Sequence, residues 1–230
     1  MDTNEPLIQS VSRQVPSMSR RGILFTGAAA GIASAFAIPA MAEVAEAKTP
    51  SRKSQMAMAQ DKKNDITVLN NGLYYEHQAI WAYNFAAGKL TNTAVGKAVL
   101  GVALGNLNDH QQHREILRSA IKSLGGTPVK AEASYDLSSY IKAGEGNIDS
   151  DVNIAKLALA LETDAAIAYT FEAAKFKTPA LITAGASIGT NEAAHATAIR
   201  AAFKSLGVDI AIVPASFFSP ATRSAWVLKV

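Results

Sequence analysis

Residues His113 through Gly125 read HREILRSAIKSLG, and residues His195 through Gly207 read HATAIRAAFKSLG. Seven of the thirteen positions are identical at an offset of 82. Both stretches place apolar residues three and four apart, the period of a helix with one buried stripe, and both end on a glycine that stops it. A second repeat lies upstream of each: Glu76, Ala79, Tyr83 and Phe85 recur as Glu162, Ala165, Tyr169 and Phe171 at an offset of 86. The chain therefore contains one helical hairpin twice. Each hairpin has an apolar stripe to bury, and two hairpins stacked on their stripes make a four-helix bundle.

Working outward, helical periodicity covers about residues 64–89, 92–124, 150–177 and 179–206. Gly88 and the Gly125-Gly126 pair mark the first two ends, Asp149-Ser150 and Pro179 open the third and fourth helices, and Gly207 closes the last. No segment alternates with period two over a useful length, so the expected class is all-α. The hairpins are joined by about 25 residues, with one short helix expected near Ser138–Lys142. Extended, that connection reaches about 80 Å, whereas a 28-residue helix is about 42 Å long. It can run the length of the bundle, giving antiparallel hairpins joined by a long crossover.

Composition narrows the chemistry. The 230 residues suffice for one substantial core, with 49% apolar and 18% charged residues. There is no cysteine, which excludes disulfides, thiolate metal sites, iron–sulfur clusters and cysteine nucleophiles. The net charge is +3, and no basic block suggests a nucleic-acid surface.

The first 42 residues read as an address. Ser19-Arg20-Arg21-Gly22-Ile23-Leu24 precedes an uncharged run that ends Pro39-Ala40-Met41-Ala42. A basic segment, an apolar segment and a small-residue end are the parts of a cleavable export signal. The paired arginines resemble a twin-arginine signal, with Ile23 where phenylalanine is usual. That implies export of the folded protein to the periplasm, with the membrane met only during passage. The other reading is a retained anchor, since Gly22–Ala42 is about long enough to span a bilayer. Residues 43–63 read as a flexible linker, 64–206 as the bundle and 207–230 as an apolar tail. The tail is expected to pack along the bundle or to make an oligomer contact, in a homodimer or other small oligomer.

Helical wheels carry the functional reading. At about 100° per residue, Glu162 shares its stripe with Ala155, Leu159, Ala166, Tyr169 and Phe176, while Lys156 and Asp164 point away. Glu76 lies among Leu69, Leu73, Ile80 and Tyr83. His110 and His113 lie with Val99, Val102, Ile116 and Leu117. Glu192 and His195 lie with Leu181, Ile188, Ile199 and Leu206. Each helix thus turns one or two ionisable groups inward, and antiparallel packing brings them to one level. A lone carboxylate in such a core would be very costly. Three carboxylates and three imidazoles around a cation remove that cost, and Glu192 and His195, three apart, can face one centre. The alternative is a buried salt-bridge network with no ion. Oxygen and nitrogen donors suit iron, manganese or zinc.

This constellation resembles the ferritin-like superfamily of dimetal carboxylate proteins, over about residues 64–206. The family pattern is one glutamate from the first helix, Glu-x-x-His from the second, one glutamate from the third and Glu-x-x-His from the fourth. Glu76, Glu162 and Glu192-Ala193-Ala194-His195 match it. The second helix departs, reading His110-Gln111-Gln112-His113, with histidine where the family places a bridging glutamate. Asp109, about 40° from His113 on the wheel, is a candidate for the missing carboxylate or for a group that orients a histidine. Tyr83 and Tyr169, seven residues beyond the two glutamates, face the same site. The resemblance implies a mononuclear or dinuclear metal, metal ions and small oxidants as partners, and oxidation of iron or manganese or handling of peroxide. The alternative is a non-catalytic metal-binding or structural protein of the envelope stress response.

Overall fold

A computed structural model describes residues 51–230. The expected export signal and the first part of the linker lie outside the described residues. Among the described residues the structure is helical without strands, in the order α1 Arg52–Ala87, α2 Ala94–Ser123, α3 Ser138–Lys142, α4 Asp151–Ala173, α5 Pro179–Ser205 and α6 Arg223–Trp226. α1 packs against α2 and α4 against α5, so the two sequence repeats are the two hairpins of an antiparallel bundle. None of these helices is long and apolar enough to cross a membrane.

Local chemistry sets the ends. Ser51, Thr93 and Ser150 each accept a hydrogen bond from the backbone N–H three residues on, the usual N-cap geometry. Pro179 occupies the first turn of α5, where its missing N–H costs nothing. The glycine that ends each repeat takes up a left-handed backbone, with φ of 74° at Gly125 and 91° at Gly207. The N–H of Gly126 then reaches back to Ile121 and that of Val208 to Phe203, closing both helices identically.

The first helix begins at Arg52, twelve residues before the start expected from periodicity. Residues 52–63 are all exposed and carry no buried stripe, which is why they read as a linker. They are instead good helix formers (Lys, Gln, Met, Ala) that extend α1 without needing a partner surface.

The hairpins are tied together by exchanged contacts. Asp65 on α1 accepts from the N–H groups of Lys177 and Thr178 at the α4–α5 turn, at 2.7 and 3.0 Å. Its repeat mate Asp151 on α4 accepts from the N–H of Thr91 at the α1–α2 turn, at 2.9 Å, and from the hydroxyls of Thr91 and Thr93. Each hairpin therefore satisfies turn donors of the other, which fixes their register.

Two apolar clusters fill the bundle. One contains Leu69, Leu73, Leu117, Ile121, Tyr169 and Ile188. The other contains Ala155, Leu159, Ala196, Ile199 and Phe203. Burying a large aliphatic side chain of this kind is worth about 1.5–3 kcal/mol. The inward-facing ionisable residues form a polar layer between the two clusters.

The crossover runs along α1, where Asn70 bonds the carbonyl of Thr127 and the N–H of Val129. The tail packs on the bundle. Trp226 is fully buried and stacks on Phe218, and Arg200 donates to the carbonyls of Ala211 and Trp226. Arg223 grips Glu145 of the crossover and Asp164 of α4 through paired hydrogen bonds.

Candidate metal centre

The six residues that the wheels turned inward do meet. Glu76, His110, His113, Glu162, Glu192 and His195 are all buried. They form two overlapping groups whose donor atoms lie within 4.8 Å of one another: Glu76, His110, His113 and Glu192 in the first, His110, Glu162, Glu192 and His195 in the second. Opposite ligands of one ion with bonds of ~2.1 Å stand ~4.2 Å apart, so each group has the span of a coordination shell. His110 and Glu192 belong to both.

The shared residues face both ways. His110 turns Nδ1 toward Glu76 at 2.9 Å and Nε2 toward Glu162 at 3.1 Å. Glu192 puts Oε1 at 3.0 Å from Nδ1 of His113 and Oε2 at 3.2 Å from Nδ1 of His195. His113 Nδ1 and Glu192 Oε1 are close but misaligned, and neither has a hydrogen-bond partner although both are buried. Two unsatisfied donor atoms pointing into one small space are what a cation between them would satisfy.

The electrostatics follow from this crowding. Burial alone would raise the carboxyls of Glu76 and Glu162, but the imidazoles around them outweigh it and hold both below the ordinary value. Glu192 stays raised, because burial and the Glu162 charge together exceed the pull of His110. Burial opposes protonation of the histidines, yet the carboxylates win. His113 is pushed up to about 9 and His195 to about 10 by Glu162, Glu192 and Glu76, and His110 rises well above its usual range. Both nitrogens of His110 face carboxylate acceptors, so its ring carries both protons in the metal-free protein. The cluster is thus close to charge-balanced, with protons standing where metal ions would.

The surrounding residues hold the ligands. Tyr83 on α1 donates to Glu162 on α4, and Tyr169 on α4 donates to Glu76 on α1. Asp109 lies 3.2 Å from Nε2 of His195, with its own side chain 37% exposed. It reaches one histidine and belongs to neither donor group. Asn106, not singled out from the sequence, is buried and donates to the Tyr83 hydroxyl at 2.9 Å. It stands one turn before His110, and that spacing is the signal that could have revealed it. His77, on the flank of α1, stays outside the site. It is covered by the crossover and bonded to the Val129 carbonyl. Leu206, expected on the inner face, is 42% exposed.

Compared with known families, residues 64–205 match the model of the ferritin-like domain. No curated protein matches the chain. Among solved structures, a conserved hypothetical protein from Mycobacterium tuberculosis is similar, at 21% identity and a TM-score of 0.54. The match covers 66% of this chain and 98% of that one, and at that identity it speaks for the fold alone.

Proposed function

The chain belongs to the ferritin-like domain family, and we propose that its buried cluster is a two-subsite centre for iron or manganese, at which an exported protein oxidises the metal or consumes peroxide. The observation that carries this reading is the pair of overlapping donor groups that share His110 and Glu192. Export rests on the Arg20-Arg21 pair and the uncharged run behind it.

Bound iron or manganese would supply one-electron chemistry toward small oxidants. The chain's own residues do the rest. Glu76 and His113 terminate one subsite, Glu162 and His195 the other, and the two oxygens of Glu192 are divided between them. Tyr83 and Tyr169 each fix one oxygen of a glutamate, which orients the second. Asp109 holds Nε2 of His195 and leaves Nδ1 directed inward. Because Asp109 is partly exposed, it also gives displaced protons a way to solvent. The apolar cluster around Leu73 and Ile121 closes the site on one side.

A second reading is favoured by His110 alone. An imidazole in the bridging position removes one negative charge, so the site stabilises trivalent ions less than a site of four carboxylates would. That suits a divalent ion held without turnover. The test is to load the protein with iron(II) without oxygen and then add oxygen or peroxide. Turnover above that of Glu162→Ala supports the redox reading. Tight retention without turnover, with thermal stability lost on chelation, supports the second.

A further inference from the structure

A cavity of about 390 Å³ opens between the two hairpins, beside the polar layer. That size is within the ~300–1,000 Å³ typical of sites for small organic ligands. Its lining follows α2 from His110 back to Val95, about 22 Å at 1.5 Å per residue, and α4 from Ala168 back to Val152, about 24 Å. It is therefore elongated, running from the centre toward one end of the bundle.

Small side chains hold it open. Ala79 and Ala165 are repeat mates at the offset of 86, and both line it, as do Ala82 and Ala158. The two ends differ in chemistry. The inner end carries Tyr83, His110 and Glu162. Elsewhere the lining is mostly aliphatic, and toward one end of the bundle it includes the exposed Phe85, Ile148, Val152, Leu206 and Val208. Apolar residues gathered at the opening of an apolar cavity mark an entry for an apolar molecule. This also explains why Leu206 is not covered.

We infer that the cavity binds a single-chain aliphatic alcohol, its chain along α2 and α4 and its hydroxyl at Tyr83, whose oxygen can still accept a hydrogen bond. The head is uncharged for a stated reason. Tyr83 and His110 give their protons to Glu162 and Glu76, and Asn106 donates to Tyr83 and Glu162, so an anionic head would find no donor to spare at the inner end. An ammonium head would lose its hydration in a narrow apolar passage with only the neutral Tyr83 oxygen to accept from it. That the head lies beside a metal rests on the function proposed above; the binding itself does not.

The experiment is calorimetric titration of the chain, metal-free and metal-loaded, with hexan-1-ol, octan-1-ol, decan-1-ol and decanoate. One saturable site is expected, with affinity for the alcohols rising about fourfold per added methylene. Decanoate is expected to bind at least about tenfold more weakly than decan-1-ol. Ala158→Phe, which fills the passage, should weaken decan-1-ol at least about tenfold while leaving helicity and metal content unchanged. No saturable decan-1-ol binding, a flat dependence on chain length, decanoate preferred over the alcohol, or full affinity in a folded Ala158→Phe would each overturn the inference. The chain-length series decides the matter even if that variant does not fold. Binding of decan-1-ol by a chain that takes up neither iron nor manganese would sustain this inference and sink the metal reading. The reverse pattern would do the opposite.

Discussion

Tyr83 on the first hairpin donates its hydroxyl proton to Glu162 on the second, and its repeat mate Tyr169 returns the contact to Glu76. Two equivalent phenols thus exchange partners across the hairpin boundary. The same exchange is seen at Asp65 and Asp151. The polar layer is therefore a cross-brace between the hairpins as well as a candidate ligand set. Tyr83→Phe removes a buried donor while keeping the ring, leaving Glu162 less satisfied. The metal-free protein should lose about 1–3 kcal/mol, measured by urea denaturation. Tyr169→Phe should cost a similar amount, and the double variant should depart from additivity because both phenols meet through His110.

The pH dependence of the metal-free protein has a definite sign. His113 is raised to about 9 and His195 to about 10, from 6.5 for an ordinary imidazole. A raised folded value gives stability that is fully present below pH 6.5 and is lost as the pH climbs through the folded values. The metal-free protein should therefore weaken by several kcal/mol between about pH 7 and pH 10. Glu192, also raised, acts in the same direction from lower pH. Metal ions bound at the cluster would replace these protons, so metal affinity should rise over the same window and the loaded protein should not show the loss. Denaturation midpoints of both forms across that range check this.

His110→Glu restores the carboxylate pattern of the family. In the metal-free protein it places a fourth carboxylate beside Glu76, Glu162 and Glu192 and removes one of three balancing imidazoles. The variant should be destabilised by at least about 2 kcal/mol without metal and should recover when iron(II) or manganese(II) is added. Thermal midpoints with and without the ion give the answer; a metal-free variant as stable as the parent would contradict the charge balance described above.

The tail is a structural part of the domain. Trp226 is buried against Phe218, and its indole donates to the Phe217 carbonyl at 3.0 Å. Trp226→Ala should cost about 3–5 kcal/mol. Arg223→Met should cost less, about 2 kcal/mol, because the guanidinium is partly exposed although Glu145 is not. Both are read from equilibrium unfolding.

The bundle and its buried cluster of glutamates and histidines were legible because both depend on periodicity. A glutamate on the apolar stripe of its own helix, such as Glu162, is visible from spacing alone. So are the repeat offsets and the glycine stops at Gly125 and Gly207. What sequence could not supply depends on how separate segments meet. Residues 52–63 form helix without any buried face, so no stripe announced them. His77 is buried only because the crossover passes over it, and Arg200 only because the tail supplies carbonyls. The exchange of Tyr83 and Tyr169 requires knowing which helices face each other. The cavity is space left by Ala79, Ala82, Ala158 and Ala165, and on a wheel an alanine facing a void looks like an alanine in a core.

The proposed function requires that His110 and Glu192 be shared by two metal subsites. Titrating the metal-free protein with iron(II) without oxygen, and counting bound iron per chain after gel filtration, tests it most directly. About two ions per chain are expected, falling to one or none in Glu192→Ala. Failure to retain iron, or retention unchanged by that substitution, would contradict it.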